Sequence, residues 1–209
     1  MTLTASATQI LNAAETLFAR HGYDGVSMQQ IASDAGISKA NIYHHFKSKD
    51  ELYLAVLKYA LQDMKTLLNE LQHVEGTATE QLTHFSIEHL KQINAKSSIS
   101  KLIIRELIDG DSSRGQALAE QVFAEYFSLL KSLLRQSQVR GEIRNDIDSN
   151  HMAAALVGMN VFLFQSWPAL QHLPNNTFKS QQKSGTTMLQ LLLHGFIPDK
   201  QTTTHKENI

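Results

Sequence analysis

The sequence predicts an all-α protein, and three observations carry that expectation. Apolar residues recur three and four apart along most of the 209-residue chain, the spacing of one helical face. No run alternates apolar and polar residues as a half-buried strand does. The three prolines stand at 168, 174 and 198, so the first 167 residues contain no helix breaker of that kind.

Taken in order, the elements number nine. Ile10, Ala13, Ala14, Leu17 and Phe18 share the stripe of a first helix, with Ser6 and Gln9 as its capping box and Gly22 as its stop. Ser27, with Gln30 three residues on, opens a second helix of about two turns that ends at Gly36. A third starts behind Ser38 in "ISKANIYHHF". Ser48 and Glu51 cap a fourth, which Leu52, Val56, Tyr59, Ala60, Leu67 and Leu71 sustain from about 48 to 73. Thr77 and Glu80 signal a fifth, with Leu82, Phe85, His89 and Ile93 on its stripe. "SKLIIRELI" is a shorter sixth, closed by Asp109-Gly110. The seventh runs over 114–138, the eighth from about 149 to 167, where Pro168 ends it, and the ninth from about 177 to 195. The tail 198–209 is polar and reads as disordered.

Composition narrows the functional classes. A chain that is 42% hydrophobic has material for a packed core. Without cysteine, disulfides, thiol nucleophiles and Cys-based metal sites are excluded. The N-terminus lacks a positive leader and an unbroken apolar run, and the most apolar stretch, 153–164, is twelve residues interrupted by Asn160. That is too short to span a bilayer and predicts a buried helix in a soluble, cytoplasmic protein without membrane partners. No pair of histidines lies four apart, so His84 with Glu88 is the one His/carboxylate pair to inspect, and a solvated face is its favoured reading. Neither a metal site, a Gly-rich phosphate loop nor a nucleophile elbow is indicated, so no cofactor and no enzymatic activity are expected. The formal net charge is −1, so any affinity for nucleic acid has to come from a local patch.

Such a patch stands at 38–52, "SKANIYHHFKSKDEL", where three lysines precede the first acid, Asp50. Upstream of it, Ala32 is small where two helices would cross, Gly36 tolerates the positive φ of a tight turn, and Ile31, Ile37 and Ile42 anchor both helices. This is the spacing of a helix-turn-helix. Its second helix would turn Ile42 and Phe46 inward and present Ser38, Lys39, Asn41, Tyr43 and His44 outward. In the DNA-reading form of the motif that helix enters the major groove, where lysine meets guanine and asparagine meets adenine. Tyr43, His44, Lys47 and Lys49 suit phosphate oxygens, and the N-terminus of the fourth helix adds unpaired N–H groups. Ala40 lies on the same reading face.

The stretch "GYDGVSMQQIASDAGISKANIYHHFKSKDELYLAVL" resembles the N-terminal signature of TetR-family (TetR/AcrR) transcriptional regulators over about residues 8 to 60. Gly-Tyr, Ile31-Ala32, Ala35-Gly36, Ile42-Tyr43, Phe46, Lys49 and Leu52 all fall in register with it. The resemblance implies that Ser27 and Gln29 touch the backbone or a base edge and that Tyr43, His44 and Lys49 clamp phosphates. Gln29 stands where many members carry a basic residue. It implies a helix-turn-helix domain at 1–50, joined by the long fourth helix to an effector-binding and dimerisation domain at 51–197. It also implies a homodimer on palindromic double-stranded operator DNA, a repressor released by a partly apolar small-molecule effector.

Two further sets of residues follow from that expectation. In the last helix Gly185, Met188, Leu192 and Gly195 or Phe196 line one side, either a dimer interface or an ordinary core face. Among the central helices His84, Phe85, Arg105, Phe123, Tyr126, Asn160, Phe164 and Trp167 mix aromatic and polar groups as a pocket lining does, although each also suits plain core packing. Asn160 in an apolar run needs a partner, which a neighbouring helix, a second subunit or a ligand would supply. Two other readings stay open: a dimerising or protein-docking C-terminal half without a small-molecule pocket, and an all-α carrier whose helix-turn-helix is scaffold.

Overall fold

A computed structural model describes residues 4–109, 112–174 and 177–196, so the expected tail at 198–209 lies outside the described residues. Among the described residues every regular element is helical. The elements are α1 (Ala5–His21), α2 (Met28–Asp34), α3 (Lys39–His45), α4 (Lys49–Ala60), α5 (Gln62–Leu71), α6 (Ala78–Ala95) and α7 (Ser97–Asp109). There follow α8 (Ser112–Ala117), a π-helical segment (Leu118–Phe123), α9 (Ala124–Val139), α10 (Ser149–Leu170) and α11 (Gln181–Phe196).

Most helix starts lie where their caps predict. Ser27 and Gln30 form a reciprocal capping box, as do Thr77 and Glu80, while Ser38 and Ser48 cap α3 and α4. The first helix differs. Thr4 caps it by accepting from the Ala7 N–H, Ser6 lies inside it, and Gln9 spends its amide on the Ala35 carbonyl at 2.7 Å. That bond ties α1 to the end of α2, which no local pattern announces.

The single helix expected over 48–73 is two. Leu61, at φ −88° and ψ 0°, separates α4 from α5. Neither glycine nor proline is present to cause the break; a tertiary partner holds it. Lys96 Nζ donates to the Ala60 carbonyl at 3.4 Å and to Asp63 Oδ2 at 2.9 Å, occupying an acceptor that a continuous helix would have used. The packing changes over at the same place. Leu52, Tyr53, Val56 and Leu57 belong to a core shared with α1–α3, Ile99, Leu102, Leu118 and Val122. Met64 and Leu68 begin a second core with Phe85, Tyr126, Leu130, Leu156 and Leu189.

The seventh predicted helix spans both cores, and the π-helical segment sits where it passes between them. Leu118, Val122, Tyr126 and Leu130, four apart, are all buried. In an α-helix a four-residue step overshoots the turn of about 3.6 residues, so such a row drifts sideways. One wider turn cancels that drift and keeps the row pointing inward.

Pro168 does not end α10, which continues to Leu170. Proline in the last turn forfeits one hydrogen bond, and the Gln171 N–H still reaches the Trp167 carbonyl at 3.2 Å. At 22 residues α10 is long and apolar enough to cross a membrane, which the sequence stretch 153–164 was too short to suggest. Here it packs against α6, α9 and α11.

Candidate nucleic-acid interface and effector region

The head is built from α1–α3 and the start of α4. Gly36, at φ 64°, makes the turn between α2 and α3, and the Ile37 N–H returns to the Ala32 carbonyl at 3.0 Å. Ile31, Ala32, Ile42 and Phe46 are buried beneath the two helices. A period of 3.6 then leaves Lys39, Ala40, Tyr43 and His44 exposed on α3, with Lys47 beyond it. Asn41 and Lys49 are half-buried, and the Ser38 hydroxyl is occupied by the Asn41 N–H at 3.2 Å. Ser27 and Gln29 are exposed at the start of α2, where the Ser27 hydroxyl is engaged with Gln30. All ten residues singled out from the sequence therefore lie on the α2–α3 unit or the entrance to α4.

Two acids at this end are tied down. Tyr23 donates its phenol to Asp50, and Glu51 Oε2 accepts from the Lys47 N–H at 2.8 Å. Lys49 Nζ lies 4.1 Å from the centre of the Tyr23 ring, a cation–π distance. Tyr23 is itself braced edge-on by Tyr53 at 5.0 Å and stacked near Phe18. It is a positioning residue that spacing alone did not single out; the Gly-Tyr pair before the motif was the available signal. Lys39 Nζ stands 5.8 Å from the Tyr43 ring.

Among the described residues, most of those expected to line an effector pocket fall at two separate spaces and in the core. Arg105 and Phe164 line an open groove of about 460 Å³ between α7 and α10, with Lys101, Ile104, Ile108 and Pro168. Asn160 lines a separate cavity of about 240 Å³ between α6, α10 and α11. Phe85 and Tyr126 are buried core, Phe123 is partly buried against the first core, and Trp167 is half-buried. His84 is exposed and lines neither space, and Glu88 pairs instead with Lys91 at 3.2 Å. Two partners of Asn160 were missed. Its Nδ2 donates to the Ser86 carbonyl at 2.9 Å and to His89 Nδ1 at 3.2 Å. The position of His89 on the apolar stripe of α6 was the signal. Its ring stacks on Phe85 at 5.4 Å, and burial lowers its pKa to about 4. Burial likewise raises that of Tyr126.

The face of α11 chosen from the sequence is its inward one. A Cβ on Gly185 would lie 2.9 Å from Leu90 Cδ2 and 3.5 Å from Leu163 Cδ1, so the glycine admits α6 and α10 of its own chain. Met188 and Leu192 are half-buried against the second core, and the Phe196 side chain lies outside the described residues.

Comparison with known proteins bears on the whole. Residues 10–56 match the model of the bacterial regulatory proteins of the tetR family. The HTH-type transcriptional regulator UidR of Escherichia coli K12 is 26% identical over 146 residues, 68% of this chain and 71% of its own length. The FadR regulator of Bacillus subtilis, solved with stearoyl-CoA, superposes with a TM-score of 0.75 at 22% identity, covering 90% of this chain and 98% of its own. AibR, solved with isovaleryl coenzyme A and operator DNA, gives 0.62 at 21% identity over 90% and 98%. These likenesses establish the fold, and the match over 10–56 coincides with the α1–α4 head just described. Residues 10–56 therefore carry the N-terminal domain of the bacterial regulatory proteins of the tetR family, and the chain is similar over about two thirds of its length to an HTH-type transcriptional regulator.

Proposed function

We propose that the chain is a homodimeric transcriptional repressor that reads a palindromic operator through α3 and is released by a small-molecule effector. The observation that carries the DNA reading is the outward face of α3. It presents Lys39, Ala40, Tyr43 and His44 together, with Asn41 beside them and Lys47 and Lys49 at the next helix start. A helix end that donates N–H groups beside lysines is what a phosphate backbone needs, and α3 itself is short enough to enter a major groove end-on. We assign base reading to Lys39 and Asn41 and phosphate contacts to Tyr43, His44, Lys47 and Lys49, with Ser27, Gln29 and Ser38 flanking them.

For the two-fold, α10 leaves Ala154, Gly158 and Phe162 exposed four apart, and α11 leaves Thr187 and Leu191. Phe162 is 50% exposed and Leu191 71%, an apolar face of the kind a second copy covers. For the effector, the stearoyl-CoA and isovaleryl-CoA of FadR and AibR favour a molecule with an apolar chain and an anionic head. The α7/α10 groove pairs Ile104, Ile108 and Phe164 with Lys101 and Arg105, which suits that class. A cytoplasmic regulator without catalytic activity follows from this reading.

Titration of labelled DNA from upstream of the protein's own coding sequence tests it. Tight binding that weakens by a log–log slope of about −0.9 per neutralised phosphate is expected. Lys49→Ala should lower that slope by about one while weakening all sequences alike, whereas Asn41→Ala should relax preference at one base position. Weak binding indifferent to sequence and salt would remove the proposal.

A further inference from the structure

We infer that Tyr23 is the positioning residue that makes the entrance to α4 fit for a phosphate: its phenol holds the Asp50 carboxylate while its ring seats the Lys49 ammonium. The inference rests on the DNA-binding reading above and adds to it a residue outside the ten assigned there.

The first turn of α4 carries two acids, Asp50 and Glu51. Acids there suit the positive end of a helix, but they oppose a phosphate brought to the same end. Glu51 escapes the conflict by accepting from the Lys47 N–H at 2.8 Å. Asp50 is held instead by the Tyr23 phenol, 27 residues back in the chain, which donates to its Oδ1. The same ring lies under Lys49, with Nζ 4.1 Å from its centre, inside the reach of about 6 Å within which a cation is drawn to an aromatic face. One side chain thus sorts two opposite charges that stand next to each other in sequence.

Tyr23 suits this task because its own ring is held. Tyr53, 2% exposed, meets it edge-on at 5.0 Å, and Phe18, fully buried, lies stacked at 6.2 Å. Both belong to the core beneath the head. A lysine left free has a flexible four-carbon stem whose ordering on a phosphate costs conformational entropy. Seating it on a fixed ring removes part of that cost in advance. An ammonium has three donors, so one resting on a ring still offers others to a phosphate. Lys39 shows the contrast: its Nζ lies 5.8 Å from Tyr43, whose side chain is 44% exposed. The two tasks of Tyr23 reside in different atoms and can be separated. Phenylalanine keeps the ring and loses the donor, whereas leucine loses both.

The full chain tests the inference in two steps. In the free protein, side-chain NMR should show the Lys49 ε-methylene shifted upfield by the ring, a shift that persists in Tyr23→Phe and vanishes in Tyr23→Leu. In titrations of labelled duplex DNA, Tyr23→Phe should weaken every sequence about threefold and Tyr23→Leu about tenfold. Asp50→Asn should recover the Tyr23→Phe loss, because the unheld charge is then gone. In a Lys49→Ala background, Tyr23→Leu should cost no more than Tyr23→Phe does. An unshifted Lys49 in the wild type overturns the inference. So does a Tyr23→Phe loss that Asp50→Asn leaves in place, which would mark a merely structural role. If Tyr23→Leu does not fold, Tyr23→Phe with and without Asp50→Asn decides alone. A wild type that binds no duplex removes the DNA-binding reading and this inference with it, whereas variants that bind as well as the wild type remove the inference alone.

Discussion

Lowering the pH from 7.5 to 5 at fixed protein concentration is expected to destabilise the folded protein by about 2 kcal/mol through one side chain, His89. Its imidazole is 7% exposed, sandwiched near Phe85 and Tyr126, and Nδ1 receives the Asn160 amide. Protonation would put a charge into the core and replace that acceptor with a donor facing a donor. Burial accordingly lowers the pKa from 6.5 to about 4. Because the folded value is the lower one, the unfolded chain binds the proton first as pH falls. Stability is full above 6.5, declines below it, and stops declining on this account near 4. The full difference, at 1.36 kcal/mol per pH unit, is about 3 kcal/mol; the part reached by pH 5 is about 2 kcal/mol. Glu125, whose pKa the Lys65 ammonium lowers, loses its contribution only below the ordinary carboxylate range, outside this window. Urea unfolding of the wild type and of His89→Gln at each pH reads the effect, since glutamine keeps an acceptor for Asn160 and does not titrate. The variant should lose most of the slope between 7.5 and 5. Parallel curves for the two proteins would refute the placement of a neutral histidine in this core.

Three other outcomes are expected. Ser27→Ala removes the reciprocal cap of the seven-residue α2 and should destabilise the protein by about 1 kcal/mol in urea unfolding, with a larger loss of DNA affinity than of global stability. Lys96→Met should release the Ala60 carbonyl and Asp63, seen as faster amide hydrogen exchange confined to the residues around Leu61. Leu191→Asp places a charge on a side chain that is 71% exposed in the single chain but covered in the proposed dimer. Sedimentation should then give a folded monomer, and an unchanged dimer would move the interface elsewhere.

The head was almost wholly legible from sequence because its signals are local. Ser27, Ser38 and Ser48 each cap the helix that follows, Gly36 has the positive φ its turn requires, and burial of Ile42 and Phe46 fixes which side of α3 faces out. What escaped was set by residues distant in the chain. Nothing around Leu61 forecasts a break that Lys96, 35 positions on, holds open. The π-helical segment answers a requirement to pack on two cores at once, which no window of sequence contains. Gly185 was read as a point of close helix approach and is one, but toward Leu90 and Leu163 of its own chain. Glycine spacing gives closeness without direction. Aromatic and polar residues at helical spacing satisfy core packing as readily as a cavity wall, so spacing alone could not separate Phe85 and Tyr126, which are buried core, from Asn160, Arg105 and Phe164, which line a cavity or a groove.

Selection of bound sites from random duplex DNA tests the central claim most directly, because one recovered motif reports the reading face and the two-fold together. The account predicts an inverted repeat whose half-sites lie about one helical turn, or a multiple of it, apart, with one position in each half-site that loses its preference in Asn41→Ala. Recovery of a single unrepeated half-site, or of no enriched sequence at all, would contradict it.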